Sequence, residues 1–175
     1  MNYGEIKEID IANGIGVRVS LFVSGCTHHC KGCFNEMTWD FNYGKPFTKD
    51  EEDRIIELLK PAYVTGFTIL GGEPMEPSNQ AVLRPFLERV KEAVPDKTIW
   101  VYSGYTWEEL INPDYKRAHT EDTIPMLQMI DILVDGEFMM GKKNLSLRFR
   151  GSENQRILDV RRSLTFKKPI LSEYM

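Results

Sequence analysis

Residues 17–33 read VRVSLFVSGCTHHCKGC. The first seven are β-branched and apolar, the pattern of a buried strand. Ser24-Gly25 ends that run, and Cys26, Cys30 and Cys33 follow directly. The unit recurs along the chain. Residues 48–60 (TKDEEDRIIELLK) predict a helix with Thr48 and Glu51 as a capping box, an apolar face at Ile55, Ile56, Leu58 and Leu59, and a stop at Pro61. Residues 67–70 (FTIL) predict a short strand running into Gly71-Gly72-Glu73-Pro74, followed by an amphipathic helix over 79–94. Residues 98–102 (TIWVY) end at Ser103-Gly104, Thr106 and Glu109 offer a second capping box, and residues 130–134 (IDILV) end at Asp135-Gly136. Residues 156–162 read as a last strand. This alternation predicts an α/β fold with a largely parallel sheet and right-handed crossovers. The four small or polar strand ends then converge on one edge of the sheet, where ligands of such folds bind.

Composition sets the bounds. The chain has 175 residues, 42% of them hydrophobic, which is enough for one core and one domain over residues 1–175. A complete (β/α)₈ barrel takes about 250 residues, so only a partial one fits. A net charge of −4 and a pI near 5.5 leave no electrostatic footprint for nucleic acid. The first residues carry neither a basic nor an apolar leader region, and no apolar run reaches membrane-spanning length, so the expected location is cytoplasmic, with no membrane partner.

The three cysteines are odd in number, lie within eight residues of one another, and have no counterpart elsewhere. A disulfide framework is therefore ruled out, and a metal or cluster site in a reducing compartment is indicated. Thiolates suit zinc, Cu(I) and iron–sulfur clusters. Structural zinc needs four ligands, so it would have to recruit His28, His29 or the distant His119. A cubane [4Fe-4S] cluster usually takes four cysteines. Three leave one iron open to a substrate or cofactor. Both readings, an open cluster and a zinc-stabilised interaction module, stand on the residues alone.

Cys26-x₃-Cys30-x₂-Cys33 after one strand and Gly71-Gly72-Glu73-Pro74 after another resemble the radical S-adenosylmethionine (SAM) superfamily. Within it, the chain is similar to the short anaerobic ribonucleotide reductase-activating proteins. The likeness is carried by Gly25-Cys26-Thr-His-His-Cys30-Lys-Gly-Cys33-Phe34-Asn35, Val101-Tyr-Ser-Gly-Tyr105, Asp131-Ile-Leu-Val-Asp135-Gly-Glu-Phe138 and Arg150-Gly-Ser-Glu-Asn-Gln-Arg156. The last of these points most specifically to the reductase activases.

The resemblance implies a truncated, open β/α partial barrel holding a [4Fe-4S] cluster on Cys26, Cys30 and Cys33, with SAM on the open iron. It implies reductive SAM cleavage and hydrogen abstraction from a glycine of an anaerobic ribonucleoside-triphosphate reductase. The electrons would come from a one-electron donor such as a flavodoxin-type reductant. Gly71, Gly72, Glu73 and Pro74 would then face the methionine end of SAM. Ser103 and Asp135 would lie near its carboxylate or ribose, with simple turns as the alternative. Gly32 stands where many members have an adenine-stacking aromatic, so Phe34 takes that role, with Asn35 near the cluster. His28 and His29 would bond cluster sulfurs or face the partner. Arg150, Asn154, Gln155 and Arg156 would contact SAM or the reductase, or form a polar loop. Phe138, Met139 and Met140 read as core rather than as a contact patch. An activase of the pyruvate formate-lyase type shares the same motifs. A small-molecule radical SAM enzyme, such as a 7-deazaguanine-pathway synthase, needs an enclosing pocket that this short chain has little sequence to build.

Overall fold

The apolar residues of 17–23, 64–71 and 98–102 are continuous enough to bury both faces of a strand, as central parallel strands require. The computed structural model describes residues 1–175 and places these three segments at the centre of one sheet. Its strands are β1 (Asn2–Asp10), β2 (Val17–Val23), β3 (Lys45–Pro46), β4 (Val64–Gly71), β5 (Thr98–Tyr102), β6 (Ile132–Asp135) and β7 (Arg156–Asp159), in the order β3-β1-β2-β4-β5-β6-β7. Strands β2, β4, β5 and β6 run parallel. Both flanks are antiparallel, β1 with β3 on one side and β7 on the other, so the expected parallel sheet is its centre only. The helices are α1 (Lys49–Leu59), α2 (Pro77–Ala93), α3 (Trp107–Ile111), α4 (Thr123–Met129) and α5 (Val160–Phe166). None is long and apolar enough to cross a membrane.

Register builds the core. Leu21, Ile69, Val101 and Leu133 pair across β2, β4, β5 and β6 in one row, and all four are fully buried. Leu83, Phe86, Leu87 and Val90 of α2 belong to the same cluster. Each such side chain contributes about 1.5–3 kcal/mol by leaving water. The other sheet face presents Arg18, Phe22, Thr68, Leu70, Trp100 and Tyr102, because the side-chain period of a strand is two. No helical residue joins the small cluster on that face; Ile15 and Phe149 from loops pack there instead. Beneath those loops lies a cavity of about 450 Å³. Arg18 lies on the same sheet face as this lumen, nearer the amino-terminal ends of the strands and outside the cavity lining. It is fully buried, and its guanidinium donates to Thr68 Oγ1 at 2.6 Å, Phe67 O at 2.7 Å and Thr98 O at 2.9 Å.

Several elements differ from expectation for local reasons. Residues 2–10 form a nine-residue strand that the charged sequence conceals; strands near a sheet edge tolerate such charges. The Thr106–Glu109 capping box is complete. The one at Thr48 is not: Thr48 makes no side-chain cap bond, and Glu51 lies 3.5 Å from Arg54. Residues 156–162 split: the strand ends at Asp159, whose carboxylate accepts the Arg162 N–H at 2.9 Å and starts α5.

Asp10 anchors the loop over the lumen. Its carboxylate accepts the Ala12 N–H at 2.8 Å and the Asn13 amide at 2.7 Å. Burial pushes its pKa up, but Ser20, Asn13 and Ala12 outweigh this and hold it below its ordinary 3.8. A depressed carboxyl pKa stabilises the fold above the ordinary value, and that contribution is lost as pH falls through the folded one. Asp10→Asn is expected to cost about 1 kcal/mol at pH 7. Its gap to the parent protein should close as pH drops below 3.8, which urea midpoints measured across that range will show.

Candidate functional site

The carboxyl ends of β2 and β4 are joined backbone to backbone. Gly72 N–H donates to Val23 O and Glu73 N–H to Gly25 O, both at 2.8 Å. A Cβ on Gly72 would stand 2.6 Å from Gly25 O and 2.9 Å from Thr38 O, and Gly71 adopts φ +106°. The glycine pair therefore lets the end of β4 lie against the cysteine loop.

Glu73 is 1% exposed and faces inward. Its Oε1 accepts from Met75 N–H and Ser103 Oγ–H at 2.8 Å, and its Oε2 accepts from Gly104 N–H at 2.6 Å. One carboxylate thus ties β4 to the end of β5. Two neighbours unforeseen in the sequence extend the grip. Glu76 Oε1 accepts Thr27 N–H and Thr27 Oγ1–H, at 2.7 and 2.6 Å. Asn79 donates to Ser24 O and Glu73 O, at 3.0 and 2.9 Å. The signal available was their spacing, three residues apart from Glu73 onward at a helix start.

All three cysteines are free; Cys26 is buried, and Cys30 and Cys33 are half-buried. Burial, with Glu73 nearby, pushes the Cys26 thiol up to about 12, and burial with Glu137 raises Cys30. Thiolates on this loop need a positive centre to hold them, the coupling expected of a metal site. The Asn35 N–H already points at Cys33 Sγ from 3.4 Å. Three soft donors on one eight-residue loop fit a cluster, which spreads its thiolates over several irons.

The His28 ring is buried between two carboxylates. Its Nδ1 lies 2.7 Å from Glu137 Oε1, and its Nε2 stands 3.2 Å from Glu73 Oε2 without hydrogen-bond alignment. Burial opposes its charge, yet the two carboxylates prevail and raise its pKa above 6.5. His29 stacks on Trp39 with ring centres 4.6 Å apart.

The remaining expected residues divide into two places. Phe34 and Asn35 line the lumen cavity with Cys33. Phe34 is 65% exposed and tilts against Phe138 at 5.3 Å. Asp135 lies one strand further over, fully buried. It accepts Trp107 N–H at 2.7 Å and pairs with Arg156 through both oxygens, at 2.9 and 2.5 Å. Gln155 accepts Gly151 N–H and donates to Gly136 O, while Asn154 donates to Glu137 O, so this polar stretch clasps its own chain. Met139 and Met140 are 46% and 44% exposed, a surface and not core.

A family model described as a 4Fe-4S single cluster domain matches residues 12–158. The anaerobic ribonucleoside-triphosphate reductase-activating protein of Pasteurella multocida is 45% identical over 89% of this chain and 95% of its own length. The proteins of that name from Escherichia coli K12 and bacteriophage T4 are 40% and 36% identical, over 89% and 90% of this chain and 96% and 93% of theirs. The chain belongs to this activating-protein family. In this chain the strand-end network around Glu73 underlies the cysteine loop. Glu73→Gln keeps the volume but turns an amide donor onto groups that already donate. It is expected to cost about 2–3 kcal/mol in urea unfolding, since charged acceptors and buried orphans carry that weight.

Proposed function

We propose that this chain activates an anaerobic ribonucleoside-triphosphate reductase by generating a glycyl radical on it, with a [4Fe-4S] cluster and SAM as cofactors. The observation that carries this reading is that Cys33, Phe34 and Asn35 form one wall of the cavity on the open sheet face. The cysteine loop and a space for a substrate segment are therefore contiguous. Cys26, Cys30 and Cys33 hold the cluster and leave one iron without a protein ligand. When bound, the cluster and SAM supply the one-electron cleavage and the hydrogen-abstracting radical; the protein supplies placement and exclusion of water.

Gly72 lies against Gly25 at the start of the cysteine loop, and the methionine end of SAM would fit there, facing Gly71, Gly72 and Pro74. Glu73, Ser103 and Asp135 have their side chains filled by internal partners, which supports positioning roles beside SAM. Phe34 offers an apolar ring to the adenine at the cavity mouth, and Asn35 orders the backbone next to Cys33. The finer architecture in this reading is a truncated radical-SAM partial barrel, its mouth left open for a loop of the reductase. A flavodoxin-type reductant supplies the electron.

Anaerobically reconstituted protein is expected to bind about four irons per chain, as a cubane requires. Cys30→Ala should hold fewer and lose SAM cleavage. Mixed with SAM, a reductant and a reductase, the parent protein should give a glycyl radical in EPR. Colourless protein with one bound zinc would sink the reading, and a radical formed only on a formate-lyase would reassign the substrate.

A further inference from the structure

The polar stretch 150–156 and the apolar residues 138–140 have a joint consequence. Residues 139–150 (MMGKKNLSLRFR) carry four cations and no anion, in a chain whose net charge is −4. Lys142, Lys143 and Arg148 are exposed, and no carboxylate pairs with any of them. Met139, Met140 and Leu145, interleaved with them, are 46%, 44% and 86% exposed.

This arm is held in place rather than loose. Met139 N–H donates to Ser152 Oγ at 3.2 Å, Glu153 N–H to Lys142 O at 2.9 Å and Asn144 N–H to Gly151 O at 3.2 Å. Gln155 and Asn154 pin the base of the arm to Gly136 and Glu137. It also lies across the cluster loop. A Cβ on Gly32 would collide with Met140 Cε, and Lys143 Nζ sits 5.1 Å over the Phe34 ring. Leu145 and Leu147 form part of the cavity wall.

We propose that residues 139–148 are a docking arm for an acidic segment of the reductase bearing apolar side chains, which the arm guides into the cavity below. This rests on the reductase being the partner. Uncompensated cations in an acidic chain complement an anionic partner, steering its approach and fixing its register. Methionine side chains adapt to a partner's apolar surface. Those apolar residues, and the acidity of the rest of the chain, favour a protein over a nucleic acid.

The test uses reconstituted protein and a candidate reductase, with Kd measured at 0.1 and 1 M NaCl, where the screening length falls from about 10 to about 3 Å. The double variant Lys142→Glu/Arg148→Glu is expected to bind about tenfold more weakly at low salt, with the difference lost at high salt. Its SAM cleavage with a chemical reductant and no reductase should match the parent. Equal affinity of variant and parent at low salt would overturn the arm alone, as would displacement of the reductase by a short single-stranded DNA. A parent protein that neither binds the reductase nor forms a glycyl radical would overturn the functional reading, and the arm with it.

Discussion

The carboxylate of Glu73 sits where three segments must meet, and it accepts one hydrogen bond from its own turn and two from the end of β5. Met75 N–H fixes its own turn, Ser103 Oγ–H and Gly104 N–H bring in the end of β5, and His28 from the cysteine loop packs 3.2 Å away. A buried carboxylate is costly unless its oxygens are filled. Here they are filled by groups that have no partner if the strand ends drift apart. The cost of burial is thereby converted into a constraint on geometry. Glu76 and Asn79 repeat the device one turn further along.

This arrangement separates holding from contact. Cys33 and the cavity wall at Phe34 and Asn35 stay open to the lumen, while Glu73 and Glu76 beside the cysteine loop are consumed internally. A cluster loop between a rigid sheet edge and an open lumen has its position set from below and its reach left free above. The one-sided sheet is part of the same design. Helices cover one face with the apolar row through Leu21, Ile69, Val101 and Leu133, and the other face keeps a cavity under two loops.

Much of this was legible in the chain. Cysteine count and spacing, the Gly71-Gly72 pair, the Thr106–Glu109 box and the four strand ends all announce themselves through local chemistry. Other features were hidden because local signals do not carry them. β1 is masked by its charged residues, which an outer strand can send to solvent. The box at Thr48 did not form, and Glu51 lies toward Arg54 instead.

The sequence by itself determined the crowding of three cysteines on one loop and the alternation of strand and helix, since both follow from residue type and spacing within a few positions. Only the tertiary structure decided what the polar residues near the site do. Glu73, Ser103 and Asp135 look alike as polar groups at strand ends, but long-range pairing turns each of them inward. It also decided that Met139 and Met140 lie outside, because the hydrogen bonds that clasp residues 151–155 raise that arm off the core. Partners up to tens of residues away set those fates, and no short-range pattern encodes them.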